Sequence, residues 1–249
     1  MQAAQQKQRY LQSDLNRFFQ PEYLDVENQD IPEWHEAQDL KATIQDLANN
    51  WHDGMEVHML DLHSMSGDGT PFTCFPHTRL NEHFAHKLPL PAIADIVDFL
   101  PGTLVDYFSD KLTSTMVVEC GQHEADITKQ VGEASLASFL RITGCLLSET
   151  TYQECDAFLK EHVAEAHNIF TRVKYRYHIQ HQGYFEMCPG YQNLQSIESS
   201  ELMARDKHDE ILAPFEGRVV LPCYQKQGDD GFFIAVDDSF ITADDSSGK

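Results

Sequence analysis

STMVVECG, residues 114–121, is an apolar, β-branched run that turns polar only at Glu119 and closes on Cys120-Gly121. A run of this kind suits a strand buried on both faces of a parallel sheet, where alternation of polar and apolar residues is lost. On its C-terminal side, Gly132–Leu147 and Thr151–Arg172 read as helices, and on its N-terminal side so does Pro91–Leu100. Further upstream, MEVHMLDLH (55–63) reads as a second strand that emerges at a polar loop, SMSGDGTP. EWHEAQDLKATIQDLANN (33–50) sets Trp34, Ala37, Leu40, Ile44 and Leu47 at three- and four-residue steps, an amphipathic helix ending near Asn49-Asn50. Strands alternating with helices predict an α/β fold, with a mixed, largely parallel sheet flanked by helices.

After about residue 172 the pattern changes. VKYRYHIQ (173–180) alternates with period two, and EGRVVLPCY (216–224) and GFFIAVD (231–237) are short strands between Gly and Pro punctuation. The expected organisation is an α/β domain over 1–172, a small β-rich C-terminal domain over 173–243 and a disordered polar tail, 244–249.

Composition excludes more than it identifies. A net charge of −22 repels phosphate backbones, and no basic patch offsets it, so no nucleic-acid partner is expected. No stretch of 18 apolar residues occurs and the N-terminus is Gln-rich, which argues against a membrane span or a signal peptide. Six cysteines are scattered without a CxxC pair, as in a reduced, cytoplasmic protein.

Two strand ends carry candidate chemistry. His58 and His63 lie five apart, so on a strand they point to opposite faces and cannot share one metal, whereas Asp61 and His63 share a face. His63 stands where its strand ends, the usual address of functional groups in open α/β sheets. Glu119 stands at the end of the other strand, where a carboxylate is costly unless paired, hydrogen-bonded or held near a cation. Taken singly, His63 also reads as a satisfied structural imidazole and Glu119 as a loop cap. RYLQSDLNRFF (9–19) adds Arg9, Asn16 and Arg17 in close succession.

DLNR (14–17), LDLHS (60–64) and VVECG (117–121), in this order and at these spacings, resemble the succinylglutamate desuccinylase/aspartoacylase family, within the wider zinc-carboxypeptidase group. The resemblance runs through nearly all of the chain, including a β-rich C-terminal module. It implies a zinc-dependent hydrolase that cleaves the amide or ester bond of an N-acyl amino acid or a similar small carboxylated substrate. In that scheme His63 is the third ligand of a catalytic Zn²⁺, Glu119 the general base and acid, and Asn16 with Arg17 the grip on the substrate carboxylate. Arg9 polarises the scissile carbonyl and stabilises the oxyanion.

Two departures qualify what the resemblance implies. The family's first two zinc ligands lie in an HGxE-type loop upstream of DLNR, and MQAAQQKQRYLQS, which precedes Asp14, contains neither histidine nor glutamate. His35, in WHEAQ, falls on the wrong side of DLNR. The expectation is therefore an N-terminally incomplete catalytic domain, either a fragment or a shortened natural form, holding zinc weakly or not at all. Secondly, where aspartoacylase-type relatives place an arginine that reads a second carboxylate, this chain has Ser109, with Lys111 nearby. His83 and His86, three apart in NEHFAHK, read as a surface pair, and Lys226 lacks the context of a biotinyl- or lipoyl-type lysine. A non-catalytic carboxylate-binding protein and an acidic interaction protein remain alternatives, and a homo-oligomer stays open.

Overall fold

The computed structural model describes residues 6, 8–24, 30–50, 55–145 and 148–238. The expected tail at 244–249 lies outside them.

STMVVECG forms the strand that organises the molecule. β4 (Ser114–Gln122) is buried along its first eight residues and pairs parallel with β1 (His58–Met65) and antiparallel with β2 (Phe72–Phe75). β2 pairs parallel with β3 (Ala92–Ala94), and β3 parallel with β5 (Phe170–His178). β5 pairs antiparallel with β11 (Asp230–Asp237), β11 with β10 (Gly217–Val220), and β10 with β7 (Ser196–Ile197). The result is an eight-stranded mixed sheet in the order β1-β4-β2-β3-β5-β11-β10-β7. A separate antiparallel sheet, β6 (Phe185–Met187), β8 (Leu202–Asp206) and β9 (Asp209–Leu212), packs on the C-terminal end of the main sheet through Met187, Met203, Val219, Phe232 and Ile234.

Alternation along β4 separates the two faces. Met116, Val118 and Cys120 meet Phe84 of a helix at Arg79–Lys87, Val131 and Phe139 of a helix at Asp126–Ile142, and Leu159 of a helix at Glu149–Val163. Val117 turns to the other face with Cys74, Ile93, Val105 and Phe233. On that second side, the helix Pro32–Asn49 packs through Ala37 on Phe18, Phe19 and Leu24. Among the described residues no helix is long and apolar enough to cross a membrane.

Several boundaries differ from the expected ones. The helix expected at 91–100 is β3 followed by a 3-10 turn, Ile96–Phe99, because Asp95 takes a left-handed φ of 63° and the Ala-Ile-Ala segment fills the gap between β2 and β5. The helix expected at 132–147 runs from Asp126 to Ile142; its first turn, DITK, is too polar to show an apolar stripe. The helix expected at 151–172 stops at Val163, where Ala164 has φ 47°, and Phe170 already begins β5. The expected division at 172/173 thus falls inside a strand whose neighbours, β3 and β11, come from either side of it.

Candidate functional site

The site lies at the C-terminal ends of β1 and β4. Their parallel register places His63 directly opposite Glu119, and partners in register project from the same face of a sheet. Past His63 the pairing shifts, so Met65 meets Gln122. Gly121, at φ 133°, takes the backbone through this irregularity; a Cβ there would stand 2.9 Å from Thr128 Oγ1.

The N-terminal segment approaches this strand end from the side. Asp14 accepts the Asn16 N–H at 3.1 Å and caps the 3-10 turn Leu15–Arg17. Asn16 Oδ1 in turn accepts the Leu104 N–H at 2.7 Å, satisfying the first turn of the helix Leu104–Phe108. Gly102 lets the two segments touch: a Cβ there would lie 2.7 Å from the Arg17 carbonyl oxygen.

Arg9, Asn16, Arg17, His63 and Glu119, the five residues singled out in the sequence, line one cavity of about 130 Å³. Their hydrogen bonds qualify the roles the resemblance implies. Arg9 donates from Nε and Nη2 to Asp14 Oδ2, at 3.1 and 2.9 Å. Arg17 donates from Nη2 to Asp230 Oδ2 at 2.8 Å and from Nη1 to the Asn16 carbonyl. Each guanidinium already faces a carboxylate of the protein.

Glu119 is 8% exposed, and its Oε2 has no hydrogen-bond partner. Burial pushes its carboxyl up from the ordinary value, against the opposing pull of His63 and Arg9. His63 Nε2 lies 2.8 Å from Asp61 Oδ2. Burial pulls the imidazole down, but the Asp61 hydrogen bond and the charges of Glu119 and Asp61 outweigh it, pushing it to about 9. The neighbouring Cys74 thiol is driven up by burial and by the same two carboxylates, which leaves it protonated. His58 occupies the opposite face, bonded to Ser114 Oγ and packed against Phe84.

A catalytic zinc needs three protein donors and neutral imidazole. Among the described residues no group of three or more His, Cys, Asp or Glu is placed to hold a metal ion. His63 Nε2 is turned to Asp61, and His35 is not among the cavity-lining residues. These residues do not fit a catalytic zinc.

Two contributors were not legible in the sequence. Asp230, the first residue of β11, reaches the cavity and joins Arg17 to Arg176, whose Nε donates to it at 2.5 Å. In QGDDGFF this aspartate reads as turn punctuation, and only the sheet order brings it to Arg17. Ser64, beside His63, also lines the cavity and contacts His123 Nδ1 at 2.8 Å.

The sheet, its flanking helices and a strand-end histidine and glutamate on one cavity define a protein of zinc-carboxypeptidase-like fold. Residues 1–97 match the family model of the succinylglutamate desuccinylase/aspartoacylase catalytic domain. VVECG lies beyond the matched segment, and the β1–β4 register connects it to LDLHS. Solved structures extend the likeness in fold. A succinylglutamate desuccinylase from Vibrio cholerae superposes with a TM-score of 0.61 at 17% identity, covering 95% of this chain and 68% of that one. A succinylglutamate desuccinylase/aspartoacylase from Rhodobacter sphaeroides gives 0.64 at 16% identity, covering 96% and 73%. Murine aminoacylase 3 gives 0.58 at 14% identity, covering 95% and 81%. No curated protein sequence matches the chain.

Proposed function

We propose that this cavity is a deacylase-type site: it takes an N-acyl amino acid, or a similar small carboxylated molecule, and cleaves its amide or ester bond. The observation that carries the reading is Glu119, a buried carboxylate with an unpartnered Oε2, set in register with His63 on the cavity wall. The match of residues 1–97 to a family of deacylases supports the same chemistry.

Each residue then has a role that its position allows. Burial raises the proton affinity of Glu119, which suits a group that takes a proton from attacking water and returns it to the departing amine. The water oxygen adds to the acyl carbon and the C=O pair moves onto oxygen; collapse of that oxyanion re-forms C=O and breaks the C–N bond, and the amine leaves with the proton from Glu119. Arg9, whose charge acts on both Glu119 and His63, supplies positive field to the developing oxyanion. Arg17 orients the substrate carboxylate and shares itself with Asp230, which Arg176 also holds. A reducing, cytoplasmic setting accords with six free cysteines.

A second reading, ligand binding without turnover, is favoured by one observation: no three-donor metal group exists among the described residues. Hydrolysis of N-acyl amino acids, measured with metal chelated and with zinc added, separates the two. The deacylase reading expects turnover that drops about 10²–10⁴-fold in Glu119→Gln with ligand binding retained. Turnover unchanged in that variant would exclude Glu119 as the proton carrier. Binding without turnover under either metal condition selects the second reading.

A further inference from the structure

A second cavity, of about 440 Å³, opens between the N-terminal segment and β5. Arg17 lines both this cavity and the first, whereas His63 and Glu119 line the first alone. Arg176 of β5 also faces the second cavity. The two guanidiniums share one carboxylate: Arg17 donates to Asp230 Oδ2 at 2.8 Å and Arg176 to Oδ1 at 2.5 Å. Their remaining partners are the Asn16 and Phe99 carbonyls and the His178 ring. Among the described residues no second carboxylate pairs with either arginine. One positive charge is thus left uncompensated at this wall, in a chain of net charge −22.

The same cavity carries a carboxylate without a cation. Asp229 accepts the Gln182 side-chain amide at 3.0 Å and pairs with no basic group among the described residues. Its backbone is fixed, because its carbonyl accepts the Ile179 N–H at 2.8 Å. Tyr10 stands close to it: burial, then the charge of Asp229 and then that of Asp14 raise the Tyr10 phenol. Asp14 is already taken by Arg9 and by the Asn16 N–H, which leaves Asp229 as the available acid. Phe18 and Tyr23, with ring centroids 6.3 Å apart, and Pro101 supply an apolar part of the wall.

We propose that this second cavity binds a free α-amino acid as its zwitterion, with the carboxylate on Arg17 and Arg176, the ammonium on Asp229 and an apolar side chain against Phe18, Tyr23 and Pro101. The site goes beyond the deacylase reading and does not rest on it. Two guanidiniums held in place by Asp230 need little reordering to receive a carboxylate. A bare anion is repelled by Asp229, and a bare cation by the surplus charge of the arginines. A molecule carrying both charges satisfies both ends. Acylation removes the ammonium, so this cavity discriminates against the N-acyl molecules proposed for the first one.

Isothermal titration of the full chain tests it with L-leucine, with 4-methylpentanoate, which lacks the ammonium, and with isopentylamine, which lacks the carboxylate. Leucine is expected to bind about tenfold more tightly than either, or better. Asp229→Asn, at an exposed position, is expected to weaken leucine about fivefold, the scale of one exposed ion pair. The same variant should hold 4-methylpentanoate as tightly as before or more so, with urea stability retained. Leucine bound no more tightly than its two analogues overturns the proposal. So does leucine binding that falls in Glu119→Gln and not in Asp229→Asn, because the ligand then sits in the first cavity. The deacylase reading, tested by turnover of N-acyl amino acids, stands in either case.

Discussion

The carboxylate of Asp61, 2.8 Å from His63 Nε2, decides what that imidazole can do. Its hydrogen bond and charge, with the charge of Glu119, outweigh the effect of burial and raise the imidazole to about 9, so the ring donates at neutral pH. The contribution to stability follows the sign of the shift. The folded value, about 9, lies above the ordinary 6.5. The stabilisation is therefore complete below about pH 6.5 and is lost as pH rises toward 9. Replacing Asp61 with Asn is expected to lower the His63 titration midpoint followed by imidazole NMR. It should also shrink the stability gap to the wild type as pH rises through that window. An unchanged midpoint would mean that Asp61 is not the controlling partner. The pairing of Asp61 with His63 is legible in the sequence, because positions two apart on a strand share a face. Its partner across the sheet is not, since register with Glu119 is set across the long connection, residues 66–113, between the two strands.

At the scale of elements, short polar links set the site's walls. Asn16 holds the first turn of the helix Leu104–Phe108 by a single side-chain bond. Truncation by Asn16→Ala is expected to cost about 1 kcal/mol, within the usual range for a lost helix cap, and to weaken ligand binding by displacing Leu100 and Val105. Urea unfolding and titration calorimetry read the two effects separately. Asn193, 3% exposed, is a second such link, accepting the Leu221 N–H at 2.7 Å and touching the Met65 sulfur. Asn193→Ala leaves the Leu221 N–H without its acceptor and is expected to destabilise by about 1–3 kcal/mol; unaltered urea stability would contradict that accounting. The elements themselves were unevenly readable. The helix 32–49 shows its stripe in sequence, and β4 its apolar run. β3, three residues of Ala-Ile-Ala next to a 3-10 turn, carries no period long enough to distinguish it from a helix.

At the scale of the molecule, Asp230 joins regions far apart in sequence. It binds Arg17 of the N-terminal segment and Arg176 of β5 while itself beginning β11. β5 likewise links the parallel strands to the antiparallel ones, so the compositional break at 172/173 falls within one continuous sheet. Expressing residues 1–172 and 173–249 separately is accordingly expected to give no cooperative thermal transition in either piece, because the cut divides β5; a sharp transition in either would show an independent folding unit. The net charge of −22 adds a uniform repulsion, and raising salt from about 10 mM to about 150 mM should increase the melting temperature through screening. These distant segments converge on one cavity around Glu119. A crystal structure of the chain with saturating N-acetyl-leucine tests it most directly. The ligand carboxylate is expected on Arg17, its acyl oxygen toward Arg9 and its amide nitrogen beside Glu119. Ligand bound elsewhere on the molecule, or a cavity filled only with water, would contradict it.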